Sequence, residues 1–259
     1  MIANVYFTDG MFEWGKLFMK SFNNFHPDID IIAVTRNLNN NQIEELSKYA
    51  LIENATLPYE KMAKRINVSI DRLLQMKKEV ETGQTNDSNQ PWKWLIAGGD
   101  RIESLYEIVK LYNHVGVLHF DADTYIRNKI DGLFDMVKKY DVCMRQRPND
   151  PEIIRRAVIS IMGFKGKNGL AFMERWLFHL KRVNLLNTTK TFDQRTCYQT
   201  VLDLSEHINI GNMKEEVDYP VISVSEEEEA DMWFGNCGHR GEKINKFWRD
   251  HEKKMGSTN

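Results

Sequence analysis

Cysteine is scarce in this chain. Cys143, Cys197 and Cys237 are the three in 259 residues, far apart and without metal-ligand spacing. On that count buried or incidental free thiols in a reducing compartment are strongly favoured over a disulfide framework. Long apolar runs are missing too; none approaches the ~20 residues of a membrane-spanning helix. The opening residues, M-I-A-N-V-Y-F-T-D-G, have no basic stretch ahead of an apolar one, so no secretory leader is expected. Without one, the sequons at Asn54, Asn67 and Asn187 carry no expectation of glycosylation. Nor is there an excess of one charge: the net charge of −2 gives no overall pull toward nucleic acid or an anionic membrane. Repeats and a clear linker are also lacking. A soluble, cytoplasmic protein of one domain (1–259) is the expectation, with enough apolar residues for a sizeable core.

What the chain does have is an alternation of short β-rich runs and helical patterns. Ala3 to Phe7 reads as a strand stopped by the turn residues Thr8-Asp9-Gly10. Phe12, Leu17, Phe18, Phe22 and Phe25 then follow helical spacing until Pro27-Asp28. Ile29 to Thr35 is a second strand, Gln42 to Tyr49 a short helix, and Leu51 to Leu57 a weaker third strand. Pro58 to Glu81 reads as mostly helical, with Met62, Ile66, Ile70, Leu73, Leu74 and Met76 on one side. A polar loop, Thr82 to Pro91, precedes Gly98-Gly99-Asp100, where Asp100 is placed to cap an amphipathic helix over Ile102 to Tyr112. Further on come a helix over Leu133 to Lys139 and strands over Asp141 to Arg145 and Ile153 to Phe164. Helices over Gly169 to Leu186 and Phe192 to Leu204, and a late strand at Tyr219 to Val224, complete the reading. Strand–helix alternation predicts an α/β fold, a mostly parallel central sheet flanked by helices. In such sheets ligands sit off the carboxyl ends of the strands, here Thr8-Asp9, Thr35-Arg36 and Asp121-Ala122-Asp123.

The last of these is the strongest chemical signal. The apolar run Val115 to Phe120 ends in D-A-D, residues 121–123. On a strand, Asp121 and Asp123 point the same way and Ala122 points away. Two adjacent carboxylates repel each other unless a cation lies between them. A hard divalent ion that also holds phosphate oxygens is the usual solution. The alternative is a solvated strand end. Arg145, Arg147, Arg155 and Arg156 form a basic group further along. A solvated face is the default there, although the first two follow a strand end and could meet an anionic ligand.

The stretch 121–134, D-A-D-T-Y-I-R-N-K-I-D-G-L-F, resembles the D-A-D-T-x-x-x-x-x-I-D-x-L-F signature of nucleotide-sugar glycosyltransferases of the A fold, in particular the glycogenin and galactinol-synthase-like family. The resemblance implies a Rossmann-like fold with a nucleotide-binding half (1–124) and an acceptor-binding half with a closing C-terminal segment (125–250). It implies a metal, Mn²⁺ or Mg²⁺, held by Asp121, Asp123 and a late histidine, His239, in G-H-R-G-E-K. Lys243 matches a diphosphate-binding lysine, and Arg101 a basic residue on the helix before the metal motif. Thr8, Asp9 and Phe12 match the turn that touches base and ribose, with Phe12 offering a stacking face. Phe192-Asp193-Gln194 matches the Asp-Gln pair near donor sugar and acceptor, which makes Asp193 and Gln194 the catalytic candidates. The implied partners are a nucleotide-sugar donor, UDP-linked by preference, and a carbohydrate or other hydroxyl acceptor.

The chain departs from the family in places that shape the sugar and acceptor pockets. Ala157 to Phe164 reads A-V-I-S-I-M-G-F in place of an Asn-Ser-Gly strand motif, the Asp-Gln pair lacks its preceding glycines, and Lys243 is not followed by Pro-Trp. Were the enzyme inverting, a carboxylate base would be needed near the acceptor hydroxyl, and Asp193 is the candidate. Bland readings stand beside these: a helix N-cap for Asp193, a loop histidine for His239 and a solvated helix face for Lys243. Two other functions fit an apolar strand ending in D-x-D-x-T. One is a haloacid-dehalogenase-like phosphatase with Asp121 as nucleophile, although that motif normally follows the first strand of the core. The other is a sugar-nucleotide-binding protein without turnover.

Overall fold

The computed structural model describes residues 1–82, 92, 95–152, 156–183, 192–213 and 232–234. The strands are β1 (Ile2–Thr8), β2 (Ile31–Arg36), β3 (Leu51–Ala55), β4 (Val117–Asp121), β5 (Thr124–Ile126), β6 (Val142–Gln146), β7 (Ala157–Phe164), β8 (Ile210–Asn212) and β9 (Met232–Phe234). The helices are α1 (Phe12–Phe25), α2 (Asn40–Leu46), α3 (Tyr59–Arg65), α4 (Ile70–Glu81), α5 (Arg101–Tyr112), α6 (Asp131–Lys139), α7 (Gly166–Arg182) and α8 (Phe192–Leu204).

Seven strands make one sheet in the order β3-β2-β1-β4-β7-β6-β8. β3, β2, β1 and β4 run parallel, β7 runs against β4 and β6, and β8 runs parallel to β6. Sequence order reverses at β1: the chain moves outward through β2 and β3, then crosses back to lay β4 on β1's other side. Such a switch point opens a crevice at the carboxyl ends of the two central strands. Thr8 and Asp121 stand at those ends, and Asp121 lies in register with Tyr6.

Alternation along the strands divides the core. Ile2, Tyr6, Ile32, Val34 and Val117 face one layer, where α3, α4, α5, α7 and α8 pack. Ala3, Val5, Phe7, Ile31, Ala33, Leu118 and Phe120 face the other, against α1, α2 and α6. Both sheet faces are covered, so the central strands read as unbroken apolar runs. Gly15 lets α1 lie close on β1, because a Cβ there would stand 2.4 Å from the Phe7 ring.

Several expectations need correction. Asp100 does not cap α5; its backbone is already helical and its side chain makes no capping bond, because the carboxylate is taken by Tyr6 and Arg36. Pro58 to Glu81 is two helices, broken near Asn67, whose φ of 55° is left-handed. That break turns the second helix, leaving Ile70 and Leu74 at 40% and 41% exposure. β4 ends at Asp121, and Ala122-Asp123 form a turn, so strand alternation does not extend to Asp123. β5, β8 and β9 were not expected, since three residues are too few to show a period. The strand at Tyr219 to Val224 and nearly all of the loop Thr82 to Pro91 lie outside the described residues.

Candidate active site

Arg101, the first residue of α5, is the hub of the crevice. Its Nη1 donates to Asp121 Oδ1 at 2.5 Å and its Nη2 to Asp193 Oδ2 at 3.1 Å. One guanidinium thus ties the end of β4 to the first turn of α8. Burial works to lower the pKa of Arg101, but the carboxylates of Asp121 and Asp193 outweigh it and carry the value above normal. Arg101 is therefore a permanent cation. Asp193 Oδ1 accepts the Gln194 backbone N–H at 2.8 Å. Burial pushes the Asp193 carboxyl above the ordinary range, against the pull of Arg101 and of that N–H.

The surrounding elements hold these groups in place. The indole Nε1 of Trp176 on α7 donates to Asp193 O at 3.2 Å and to Thr196 Oγ1 at 3.1 Å, which fixes the first turn of α8. A Cβ at Gly98 would stand 2.2 Å from the Phe192 ring, so the π-helical turn Leu95–Asp100 and the start of α8 meet in close contact. Beneath Asp121, His119 is buried; Nδ1 and Asn4 Oδ1 are 2.8 Å apart. Burial, reinforced by the Arg101 charge, lowers its pKa to about 3, so the ring is neutral. On the other face, α1 clamps the segment that follows Asp123. Ser21 Oγ accepts the Ile126 N–H at 3.1 Å and His26 Nε2 accepts the Ile130 N–H at 3.1 Å.

A second network, which sequence reasoning missed, adjoins the first. Asp100 Oδ2 accepts from Tyr6 Oη at 2.7 Å and from Arg36 Nε at 2.7 Å, and Arg36 Nη2 donates to Ser104 Oγ at 2.7 Å. Burial and the Asp100 carboxylate push the Tyr6 phenol far above its usual range, so it stays a donor. Arg36 and Asp100 also line a groove of about 480 Å³ at the carboxyl edge, together with Ala55, Ser104, Leu177 and Lys181. The signal available was Arg36 at a strand end; its partner was hidden by the helix-cap reading of Asp100.

Of the other candidates, Thr8 closes β1 and Asp9 opens a single 3₁₀ turn, where its Oδ1 accepts the Gly10 N–H at 3.0 Å. Phe12 starts α1; its ring is 9% exposed, with Lys16 Nζ 5.2 Å from the centroid. Asp123 is half-buried and adds to the negative field at Arg101. His239 and Lys243 lie outside the described residues. Met232 to Ile126 and Phe234 to Thr124 are backbone pairs, however, so β9 brings the C-terminal part of the chain alongside the strand after Asp123. Among the described residues, no three His, Cys, Asp or Glu side chains gather into a metal site. The donor set there is two carboxylates, one engaged by Arg101. Oxygen donors of this kind suit Mg²⁺ or Mn²⁺, and a full set needs further ligands.

No protein-family description and no curated protein sequence matches the chain. Solved structures do. A glycosyltransferase, GlyE of Streptococcus pneumoniae TIGR4, superposes with a TM-score of 0.50 at 12% identity over 83% of this chain; the chain spans 45% of that protein's length. The galactosyltransferase LgtC, solved with donor and acceptor sugar analogues, superposes with a TM-score of 0.50 at 10% identity over 96% of both chains. At such identities the likeness is one of fold. The chain has the α/β fold of the A-type nucleotide-sugar glycosyltransferases, with Arg101, Asp121 and Asp193 joined at the carboxyl edge of its sheet.

Proposed function

We propose that this protein is a metal-dependent glycosyltransferase, moving a sugar, a hexose by resemblance, from a nucleoside diphosphate sugar, preferably UDP-linked, to the hydroxyl of a carbohydrate or other acceptor. The observation that carries the reading is the Arg101 bridge between Asp121 and Asp193 at the switch point of a fold of this kind. In the reaction the acceptor oxygen bonds to the anomeric carbon while the bond from that carbon to the phosphate oxygen breaks. The nucleoside diphosphate leaves with the electron pair, and the hydroxyl proton passes to a base or to water.

Each residue has a part in this scheme. Residues 1–124 bind the nucleotide, with Thr8, Asp9 and Phe12 at the base and ribose. Asp121, Asp123 and His239 would hold Mn²⁺ or Mg²⁺, which would supply charge stabilisation to the departing diphosphate. Lys243 adds a second cation there. Arg101 keeps two carboxylates neutralised and oriented at the donor sugar. Asp193, with Gln194 beside it, meets the sugar and acceptor hydroxyls. Its upward-shifted carboxyl suits proton acceptance, should transfer invert the anomeric carbon. The phosphatase alternative loses ground, because the D-x-D motif follows the fourth strand in sequence and not the first.

Thermal unfolding with UDP, GDP and their sugar conjugates, with and without Mn²⁺, tests the proposal. One nucleotide should raise the melting temperature only when the metal is present, since a ligand that binds the folded state alone stabilises it. Asp123→Ala should remove that shift. Asp193→Asn should keep binding and lower sugar transfer or donor hydrolysis by about a hundredfold or more. Binding indifferent to metal and to Asp123→Ala would sink the reading. Tight metal-dependent binding without turnover would leave a sugar-nucleotide-binding protein.

A further inference from the structure

The hairpin of β6 and β7 carries cations that the scheme above does not use. β7 runs against both β4 and β6, so β6 points the same way as β4 and its carboxyl end lies on the edge that holds Asp121. Two strand spacings separate β6 from β4, about 10 Å. Phe120 pairs with Ile161 and Arg145 with Val158, so Arg145 stands about two residues, or ~7 Å, beyond the level of Asp121. The register shifts between Met144 and Arg145. Such bulges re-aim side chains and recur beside active sites.

The backbone here is well tied while the charges are not. Arg147 N–H donates to Arg156 O at 2.8 Å, and the Asp150 N–H to Arg147 O at 3.0 Å. The Gln146 N–H donates to Asn212 Oδ1 at 2.9 Å. Arg156 Nε donates to Asp150 O at 2.8 Å, and its guanidinium lies 5.5 Å from the Tyr198 ring of α8, five residues after Asp193. Of the two carboxylates in the connection from β6 to β7, Asp150 and Glu152, the first spends Oδ1 on the Glu152 N–H at 3.0 Å. Among the described residues no carboxylate pairs with Arg145 or Arg147. Nε and Nη1 of Arg145 are buried with no hydrogen-bond partner there. Burial, and then the like charge of Arg147, pull the Arg145 pKa down. Buried guanidinium N–H groups beside a second cation are costly unless an anion completes them. The planar fork of arginine fits the paired oxygens of a phosphate or carboxylate.

We propose that Arg145 and Arg147 form an anion subsite, which takes a phosphate or carboxylate group carried by the acceptor. That the occupant is the acceptor rests on the glycosyltransferase reading, because the pair lies across β4 from the half assigned to the nucleotide. The substrate class follows: the hydroxyl that receives the sugar belongs to an anionic molecule, and a neutral oligosaccharide would leave the pair unfilled.

Methyl phosphate and glucuronate are the probes. Each is titrated into the full chain at constant ionic strength, first alone and then with saturating UDP and Mn²⁺, by calorimetry and thermal unfolding. One of them should bind in both states, and the tighter binder tells phosphate from carboxylate. Arg145→Gln with Arg147→Gln should weaken it about tenfold or more, while the UDP-induced shift stays unchanged. Arg145→Lys should give an intermediate affinity, since it keeps the charge and loses the fork. Arg145→Met, which keeps the apolar stem, should leave the melting temperature of the free protein unchanged or higher. The subsite is overturned if neither anion binds, if the double variant binds as well as the wild type, or if UDP displaces the probe. A clear fall in melting temperature for Arg145→Met would instead assign the residue to structure. Should UDP itself fail to bind, the glycosyltransferase reading falls, and the titration without nucleotide still decides the subsite.

Discussion

His26 illustrates how one side chain holds the edge that carries the D-A-D motif from a distance. It is buried at the end of α1, between the rings of Phe22 and Phe134, and its Nε2 accepts the Ile130 N–H. An imidazolium has no lone pair to accept with, so this contact requires the neutral ring. Burial lowers its pKa below the ordinary 6.5, although Asp131 opposes the shift. The sign follows directly. The unfolded chain takes up a proton below about 6.5 that the folded protein resists, so the contribution is complete above that pH and is lost as pH falls through it. Urea unfolding should show stability dropping below about pH 6.5, by up to ~1.4 kcal/mol per pH unit from this group. His26→Gln, which can still offer an oxygen to Ile130, should flatten the slope. An unchanged slope would mean that His26 is charged in the fold.

The π-helical turn Leu95–Asp100 and the first turn of α8 act as a pair of elements. Gly98 touches the Phe192 ring; Arg101 and Asp193, just beyond each, share the ion pair. Gly98→Ala should therefore act on the site as well as on packing. Overpacking of a filled core costs about 1–3 kcal/mol, and a displaced α8 should lengthen the Arg101–Asp193 contact. We expect a lower melting temperature together with a larger loss of donor turnover. Phe192→Leu in the same chain should recover both, because it removes the ring that the new methyl meets. Loss of turnover that persists in the double variant would place the effect outside this contact. In the sequence, Gly98-Gly99 carried no such message. The residue that makes a glycine necessary there lies 94 positions away, and only packing brings it near.

Across the molecule, the seven described strands of the main sheet end at Asn212, whereas β9 pairs with β5 behind the D-A-D motif. Foldedness and ligand binding should then separate. A chain ending before Met232 should keep its far-UV circular dichroism and a cooperative melt, at a reduced temperature because Met232 is buried against β5. It should lose the metal-dependent UDP shift, since β9 and both His239 and Lys243 are removed. Retention of that shift would relieve the C-terminal segment of any part in the site.

The local pattern determined much of this protein. Apolar runs gave β1, β2 and β4 nearly as found, since both faces of those strands are buried, and helical spacing gave α1, α5 and α8, since each buries one face and the period records it. The strand-end position of Asp121 was legible for the same reason. Other features were decided only by tertiary structure. Strand order is invisible in a period of two, as are the antiparallel course of β7 and the pairing of β5 with a strand more than a hundred residues later. The partners of charged groups are equally hidden. Asp100 reads as a cap and becomes the acceptor for Tyr6 and Arg36; Arg101 reads as a basic residue on the helix before the metal motif and becomes the link between Asp121 and Asp193. Burial is what selects these partners. An ionised group removed from water must find its complement among whatever residues the fold brings within reach, and sequence distance places no limit on which they are.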